Sequence, residues 1–207
     1  MGYEMNDIIL IGGGGHAISC IDVIELSQEY KIAGIIDKDE IGLNEKLRYP
    51  IIGVDSDLEH LRKNFEYAFV AVGQIKSAKS RKNIFEKLLD IGFKMPVIIS
   101  PRSYVSKNCQ IGSGTIVMHN AVVNSNAEIG QNCIINTRAL IEHDVEIGSH
   151  THISTGALIN GQVKIGDETF VGSGAITKNN ISIGDQAIIG AGSLVKENLK
   201  DKVFLRR

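Results

Sequence analysis

The residue types in this sequence that could do chemistry are concentrated around one histidine with a carboxylate on either side. It lies in the run Glu142-His143-Asp144. A carboxylate beside an imidazole raises the basicity of the ring and fixes its tautomer, so His143 could act as a general base. The alternative is an exposed histidine in a polar segment, and the three residues alone leave both interpretations open.

A glycine-rich segment near the start of the chain could bind a phosphate. Residues 12–17 fit G-x-G-x-x-A between a short apolar stretch and a segment with helical spacing. Such a turn lets backbone N–H groups and a helix N-terminus meet an anion. Asp37, at the end of a second apolar stretch, could accept a hydrogen bond from a ribose hydroxyl. The motif alone does not distinguish NAD, another nucleotide or a structural turn. His16 within it could cap the helix or contact a ligand.

A six-residue repeat determines the elements that position His143. From Ile99 to Val195, every sixth residue is Ile or Val at sixteen of seventeen positions, and the exception is Thr177. A small residue follows four positions later in most repeats. This period fits neither an α-helix nor a coiled coil, and it is the signature of a parallel β-helix. Three hexads form one triangular coil of 18 residues without an inserted loop.

The 18-residue coil predicts which side chains stack. His143 lies between Ser125 and Gly161, so the imidazole has no bulky neighbour in its column. On another face, two adjacent columns of tiny residues form a shallow channel, and His152 precedes it. The columns are Thr155, Ser173 and Ala191, and Gly156, Gly174 and Gly192. The channel suits an extended ligand arm with amides, although small residues also favour corner turns.

The first 96 residues have a different pattern and predict a small α/β domain. Apolar strands are predicted at 7–11, 33–36 and 67–72, and helices at 17–30 and 77–91. Strands that alternate with helices favour a parallel sheet. The polar stretch at 38–50 is predicted to be a loop. The predicted fold is therefore a Rossmann-like α/β subdomain at 1–96 followed by a parallel β-helix at 97–207.

Composition and charge exclude several classes of protein. The chain has 207 residues and a net charge of −2, which gives no indication of nucleic acid or an anionic membrane as partner. No run of about 18 apolar residues predicts a membrane span, and the start of the chain has no signal-peptide pattern. The three cysteines fit a reducing compartment, so we expect a cytoplasmic protein. Surface positions are expected for His60, His119 and His150.

Two segments resemble bacterial nucleotide-sugar acyltransferases of the sialic acid O-acetyltransferase-like family, which includes UDP-amino-sugar N-acetyltransferases. They are GGGGHA and NTRALIEHDVEIGSHTHISTGALINGQVKIGDETFVGSGA, and the similarity extends over nearly the whole chain. The resemblance implies a left-handed β-helix and a homotrimer with active sites between subunits. It also implies transfer of an acetyl group from acetyl-CoA, as co-substrate, to an amine or hydroxyl of a nucleotide sugar in surface-glycan biosynthesis.

The resemblance also implies roles for individual residues. His143 matches the catalytic base, Asp144 its acidic partner, and His152 a residue near the acetyl thioester. The predicted acyl-CoA contacts continue along the channel at Ser173, Ala191, Gly174 and Gly192. The predicted nucleotide-sugar contacts are Gly14, Gly15, His16, Asp37, Lys38, Gly73 and Gln74.

The chain departs from the family pattern in two places. Many relatives carry Glu where this chain has Asp144, so the pairing distance could differ or Glu142 could share the role. The ending KENLKDKVFLRR lacks the usual V-G-x-P-A-K, so the affinity for coenzyme A or the acyl preference could differ.

Other functions remain open at the level of sequence. The glycine motif and Asp37 could indicate an NAD-dependent oxidoreductase, but that function leaves the repeat unexplained and the first domain is short for a dinucleotide. O-acetylation of sialic acid or another sugar hydroxyl, or a non-catalytic β-helix scaffold, are further alternatives. No metal site is expected, because His143 and His152 have no third convergent ligand in the sequence.

Overall fold

The N-terminal domain is a five-stranded sheet with helices on both faces. The computed structural model describes residues 5–38, 42–44 and 46–205. The strands of this domain are β1 (Asn6–Ile11), β2 (Tyr30–Ile36), β3 (Gly42–Asn44), β4 (Tyr49–Gly53) and β5 (Tyr67–Val70), and the helices are α1 (Gly15–Ser27), α2 (Leu58–Leu61) and α3 (Lys79–Ile91). The sheet order is β3-β4-β2-β1-β5, with every described pair parallel except β3–β4. The α/β prediction is confirmed.

The predicted loop at 38–50 is wrong, because this stretch contains β3 and the start of β4. The two strands pair antiparallel, with Gly42 opposite Ile51 and Leu43 opposite Pro50. Residues 39–41 and 45 lie outside the described part of the chain. A three-residue edge strand leaves no alternation of apolar and polar residues to detect, since its pairing with β4 decides its conformation.

The second domain is the predicted parallel β-helix. Its two-residue strands are β6 (Ile98–Ile99), β7 (Tyr104–Val105), β8 (Gln110–Ile111), β9 (Ile116–Val117), β10 (Val122–Val123), β11 (Glu128–Ile129), β12 (Ile134–Ile135), β13 (Leu140–Ile141), β14 (Glu146–Ile147), β15 (His152–Ile153), β16 (Leu158–Ile159), β17 (Lys164–Ile165), β18 (Phe170–Val171), β19 (Ile176–Thr177), β20 (Ser182–Ile183), β21 (Ile188–Ile189), β22 (Leu194–Val195) and β23 (Phe204–Leu205). They form three sheets of seven, six and five strands. The second residue of each strand up to β22 is a predicted hexad position. Most of these side chains form one continuous buried core.

A second period of six determines the corners of the β-helix. Every sixth residue from Gly114 to Gly192 has a φ between +51° and +69°. This left-handed conformation turns the chain between strands, and Gly, Asn and Asp adopt it most readily. The glycines that directly follow an inward Ile have a different reason. A Cβ added to Gly148 would lie 2.6 Å from the backbone nitrogen of Asp167, because the next coil passes closely there.

The repeat is irregular at two places. Thr177, the exception among the hexad positions, is fully buried, and its Oγ1 accepts a hydrogen bond from the backbone N–H of Asn160 at 2.9 Å. The last coil is two residues shorter than the others, because Ile188 pairs with Phe204 rather than with a residue 18 positions later. Leu199 and Leu205 still pack against the core.

The three outer faces of the β-helix differ in chemistry. The face of β6, β9 and β12 is covered by α1, since Ile98, Ile116 and Ile134 share a buried cluster with that helix. The face of β8 and β11 is polar. The third face carries an apolar column with no cover in the described chain, formed by Tyr104, Val122, Leu140, Leu158, Ile176 and Leu194.

Two histidines expected at the surface are engaged with the N-terminal domain. His150 is only 5% exposed and packs edge-on against Phe85 of α3, so its predicted surface position is wrong. His119 Nε2 lies 2.7 Å from Asp22 of α1, and its Nδ1 lies 2.6 Å from Ser100 Oγ. His60 is exposed as predicted. In the described ranges, no helix is both long enough and apolar enough to cross a membrane.

Candidate active site

A cavity of about 950 Å³ lies where the glycine-rich turn of the N-terminal domain meets the β-helix. Its lining comprises residues 12–16, Asp37, Lys38, residues 71–75 and His152. It therefore contains all seven residues predicted to contact a nucleotide sugar. His152 joins them from strand β15, so the two domains form the cavity together.

The glycine-rich turn is held by hydrogen bonds to the ends of neighbouring strands. Gly12 has a φ of +102°, and its N–H donates to the carbonyl of Ile36 at 2.8 Å. The N–H of Gly13 donates to Asp37 Oδ2 at 2.6 Å, and the N–H of Lys38 donates to Asp37 Oδ1 at 2.7 Å. A Cβ on Gly13 would collide with the Asp37 carboxylate. Asp37 thus fixes the turn, and it also lines the cavity.

The start of helix α1 is open toward this cavity. Gly14 occupies the N-cap position without a side-chain cap, and a Cβ added to Gly14 or Gly15 would contact nothing within 4 Å. The first N–H groups of a helix have no partner within the helix, and the helix dipole makes this end positive. This end of α1 can therefore receive an anion such as a diphosphate.

Two histidines of the cavity are held in the neutral form. Burial and then the positive charge of Arg81 lower the pKa of His16 to about 4. Its Nε2 is buried and has no hydrogen-bond partner among the described residues. Burial lowers the pKa of His152 to about 4 as well, despite a hydrogen bond to Gln74. His152 Nδ1 donates to the carbonyl oxygen of Gln74 at 2.8 Å, and Nε2 lies 3.1 Å from Asn136 Nδ2.

A buried arginine that the sequence reasoning missed lies behind this wall. Arg81 is 2% exposed and hydrogen-bonds Gln74, Asn132 and the carbonyl oxygen of His150. The buried residues of α3 are Arg81, Phe85 and Leu88. The i, i+4, i+7 spacing of these three was the signal that could have placed Arg81 inside.

The side chain of Gln74 points away from the cavity. Its Oε1 accepts from Arg81 Nη2 at 2.8 Å, and its Nε2 donates to the carbonyls of Glu168 and Thr169 at 3.2 and 3.4 Å. Only the main chain of Gln74 is then free for a ligand in the cavity. Its predicted contact with a nucleotide sugar stays a prediction, now limited to its backbone.

His143 and Asp144 form a hydrogen-bonded pair at another corner of the β-helix. The ring Nδ1 lies 2.8 Å from Asp144 Oδ2, and Asn126 Nδ2 donates to the other carboxylate oxygen at 3.0 Å. These two hydrogen bonds lower the pKa of Asp144, the one with His143 contributing most. A carboxylate on Nδ1 places the proton there and leaves the Nε2 lone pair free, as a general base requires.

Two neighbours of His143 show how its ring is accommodated and that Glu142 does not pair with the ring. Glu142 Oε2 accepts from Asn124 Nδ2 at 3.0 Å and from the His143 backbone at 3.3 Å, with no bond to the ring. A Cβ on Gly161 would lie 2.7 Å from His143 Nε2. The predicted stacking is confirmed, because the missing side chain at position 161 makes room for the imidazole.

The predicted channel is an exposed corner of the β-helix. Gly156, Gly174 and Gly192 all have left-handed backbone with φ of +66° to +67°. Their N–H groups donate to the carbonyls of the preceding coil in the neighbouring column, at residues 137, 155 and 173. Ser173 and Ala191 are exposed there. These N–H groups are already hydrogen-bonded within the β-helix, so they are not free donors for a ligand. The channel would therefore accommodate a ligand mainly by its shape.

Within one chain, the structure does not bring all predicted site residues together. The cavity and His152 lie on the face next to the N-terminal domain, whereas His143 lies at a corner that does not line the cavity. A single chain therefore holds two separate parts of the predicted site. No group of three His, Cys, Asp or Glu side chains that could hold a metal occurs in the part of the chain that the structure describes.

Two family models match separate parts of the sequence. The PglD N-terminal domain matches residues 7–88, and the bacterial transferase hexapeptide (six repeats) matches residues 126–161 and 162–197. Together they cover most of both structural domains. The comparison with curated protein sequences gives no match.

Solved structures resemble nearly the whole chain. One is a histidine-to-asparagine variant of perosamine N-acetyltransferase from Caulobacter crescentus in complex with CoA and GDP-perosamine. It is 32% identical with a TM-score of 0.89, over 96% of this chain and 92% of that chain. Another is the acetyltransferase domain of PglB from Neisseria gonorrhoeae FA1090 with acetyl coenzyme A. It is 30% identical with a TM-score of 0.88, over 96% and 95%. WeeI from Acinetobacter baumannii AYE, 21% identical over 96% and 94% with a TM-score of 0.79, shares the fold.

Proposed function

The chain belongs to the bacterial nucleotide-sugar acyltransferases of the sialic acid O-acetyltransferase-like family, and on this premise we propose that it acetylates an amine of a nucleotide-linked sugar with acetyl-CoA as co-substrate. The observation that carries the proposal is the presence of both site parts on one chain. An open helix N-terminus faces a cavity of about 950 Å³, and a histidine hydrogen-bonded to a carboxylate lies on the repeat domain.

The N-terminal domain, residues 1–96, supplies the nucleotide-sugar site in this proposal. The diphosphate lies at Gly14 and Gly15, where unpaired N–H groups and the helix dipole favour negative charge. Asp37 and Lys38 lie at the end of β2, within reach of the nucleoside. Gly73 and the backbone of Gln74 form the opposite wall. Residues 1–4, 39–41 and 45 of this range lie outside the described part of the chain.

The β-helix, residues 97–207, supplies the acyl-CoA site and the base. The pantetheine arm lies along the corner of Ser173, Ala191, Gly174 and Gly192, which is smooth because its side chains are small. His152 lies on the adjacent face, near the end of this channel. The ending is described up to Leu205, and its effect on coenzyme A affinity or acyl preference stays a prediction.

The chemical step follows from the His143–Asp144 pair. The neutral amine attacks the thioester carbonyl carbon, and its proton passes to His143 Nε2. A C–N bond forms, the C–S bond breaks, and the sulfur of coenzyme A takes the proton from the imidazolium. Asp144 stabilises the imidazolium through Nδ1. No covalent nucleophile is needed, so transfer is direct within a ternary complex.

We further propose that the protein is a cytoplasmic homotrimer with the active site between subunits. Two observations support this assembly. The cavity and His143 lie apart within one chain, so a second subunit has to bring its own His143 to the cavity. The uncovered apolar column that includes Leu140 and Leu158 offers a face for self-association. Acetyl-CoA, a cytoplasmic metabolite, indicates the compartment.

A thiol-release assay tests the proposed function. The parent protein is mixed with acetyl-CoA and a panel of amino and non-amino nucleotide sugars, and the free thiol of coenzyme A is measured. We expect turnover with an amino sugar, and a loss of at least about 10²-fold in His143→Ala. The control is His60→Ala, an exposed histidine on α2. Turnover of a hydroxyl acceptor alone would replace N- by O-acetylation, and no release with any acceptor would refute the proposal.

A further inference from the structure

Arg81 is a buried cation without a carboxylate partner in the described part of the chain. It is 2% exposed and makes no ion pair there. Nη1 donates to the carbonyl and side-chain oxygens of Asn132, and Nη2 donates to Gln74 Oε1 and the His150 carbonyl, both at 2.8 Å. Its Nε is buried without a partner. A guanidinium in this environment is costly, because burial removes its hydration.

The position itself would suit an apolar residue. Arg81 lies on the same face of α3 as Phe85 and Leu88, both fully buried. Replacement of a buried ionic group by a well-packed apolar residue is often neutral or stabilising. The need to fill space therefore does not account for the arginine. Its hydrogen bonds have to serve another purpose.

Those hydrogen bonds lead directly to His152. Arg81 Nη2 donates a hydrogen bond to the side-chain oxygen of Gln74. The side-chain NH₂ of Gln74 donates to the backbone carbonyls of Glu168 and Thr169 in the β-helix. The side chain is thereby fixed at both ends, and with it the main-chain carbonyl that accepts from His152 Nδ1 at 2.8 Å. Since Nδ1 carries the proton, Nε2 of the neutral ring is a hydrogen-bond acceptor, and it lies 3.1 Å from Asn136 Nδ2.

We propose that Arg81 is a positioning residue, which acts through Gln74 to hold His152 in one tautomer and one orientation at the wall of the cavity. The inference rests on the proposed acetyltransferase function. Without the clamp, the Gln74 backbone is free to shift, and the ring can exchange between its two neutral tautomers. The cavity wall would then lose the single orientation of His152 and its contact with Asn136.

Kinetics of Arg81→Met test this role against a matched control. The control is Lys82→Met, which removes the next cation of α3 and its 2.8 Å contact with the Glu168 carboxylate of the β-helix. Gln74 bonds the backbone carbonyl of Glu168 instead, and Lys82→Met removes no atom of that contact. We expect Arg81→Met to lower kcat by about 10²-fold with acetyl-CoA binding retained, since small displacements of a positioned group cost about that much. Lys82→Met should retain parental kcat. Parental kcat in a folded Arg81→Met variant would overturn the inference.

A double-mutant cycle separates positioning from general loss of structure. If Arg81 acts through His152, Arg81→Met should cost little in a His152→Asn background, because the group it positions is already absent. Full multiplication of the two losses in kcat would overturn the inference. Gln74→Met, a variant at the middle of the chain of contacts, should reproduce the effect of Arg81→Met if the latter does not fold.

Nitrogen-detected NMR of histidine-labelled full-length protein reads the tautomer without any substrate. In the parent, His152 should show a protonated Nδ1 and an unprotonated Nε2, and Arg81→Met or Gln74→Met should show exchange between both forms. An unchanged tautomer in both folded variants would overturn the inference. If the parent releases no thiol with any acceptor, the proposed function is refuted. The NMR spectrum would still test whether Arg81 controls the tautomer of His152.

Discussion

His143 is oriented by the backbone conformation of the residue that follows it. Asp144 has a φ of +57°, which returns its carboxylate toward the ring at 2.8 Å. The side chain of Asn126, one coil earlier, holds the second oxygen of that carboxylate. The shorter side chain of Asp144 therefore reaches the ring Nδ1. Glu142, the alternative partner, is engaged by Asn124.

Asp144→Asn isolates the charge of this partner. Asn adopts the left-handed conformation as readily as Asp does, so the corner should be retained. We expect kcat to fall by about 10²- to 10⁴-fold, because an amide neither fixes the Nδ1–H tautomer nor stabilises the imidazolium. Thiol release at saturating substrates measures kcat, and Glu142→Gln is the control with parental activity expected. A parental kcat in Asp144→Asn would contradict the assigned role.

The buried histidines predict how stability depends on pH. His16 and His152 have folded-state pKa values of about 4, below the ordinary value of 6.5. The unfolded chain therefore binds more protons between these values, so the free energy of unfolding should fall as the pH drops from about 6.5 to about 4. Urea unfolding across this range measures the slope.

Variants identify the source of that slope. His152→Gln should flatten the dependence on pH, because one of the two groups no longer titrates in the unfolded state. His60→Ala is the control for removal of a histidine at an exposed position. An equal slope in parent and His152→Gln would show that the histidine is not protected from protonation.

Part of the candidate site could be predicted from sequence, whereas the orientation of His152 depends on contacts between residues far apart in the chain. His143 was singled out by its flanking carboxylates and by the stacking of coils, and the family resemblance implied its role as the base. The clamp that holds His152 joins residues 74 and 81 to residues more than 50 positions away. Nothing in the sequence near Arg81 shows that its partners include the backbone oxygens of Asn132 and His150 in the other domain.

At the scale of elements, the stacking of coils determines which side chains fit beside His143, the proposed base. The position above His143 is Gly161, and a Cβ there would approach Nε2 to 2.7 Å. We expect Gly161→Ala to displace the imidazole and lower kcat by about 10²-fold, with little change in melting temperature. Ser125→Ala, the matched change below His143, should retain activity, because its hydroxyl contacts Ser106 instead. Equal activity of both variants would refute the steric argument.

The hexad repeat up to Val195 could be predicted, because each hexad forms its strand from its own residues and packs between equivalent hexads of the neighbouring coils. All seventeen predicted inward positions, from Ile99 to Val195, carry strands. The two-residue shortening after Val195 escaped prediction, since Leu199 and Leu205 fall out of the count of six. Strand β3 escaped for the opposite reason. Its conformation depends on pairing with β4 rather than on a pattern of its own.

For the whole molecule, the uncovered apolar column predicts the assembly. Leu158 lies at the middle of this column, where a carboxylate would be buried in the proposed trimer. We expect Leu158→Glu to give monomers in size-exclusion chromatography with light scattering and to lose turnover, while circular dichroism stays parental. Ser182→Glu, on the polar face, should remain trimeric and active. A trimeric Leu158→Glu variant would place the interface elsewhere.

The triangular coil also limits how the length of such a chain can change. Consecutive strands take the three faces in fixed rotation, so an insertion of six residues between His143 and His152 would turn every later strand by one third of a revolution. His152 would then leave the face of the N-terminal domain for that of Leu140 and Leu158. An insertion of 18 residues would return each side chain to its own face. Insertions or deletions before the site residues should therefore comprise whole coils of 18 residues. The shortening of the last coil changes no site residue's face, because it comes after Val195.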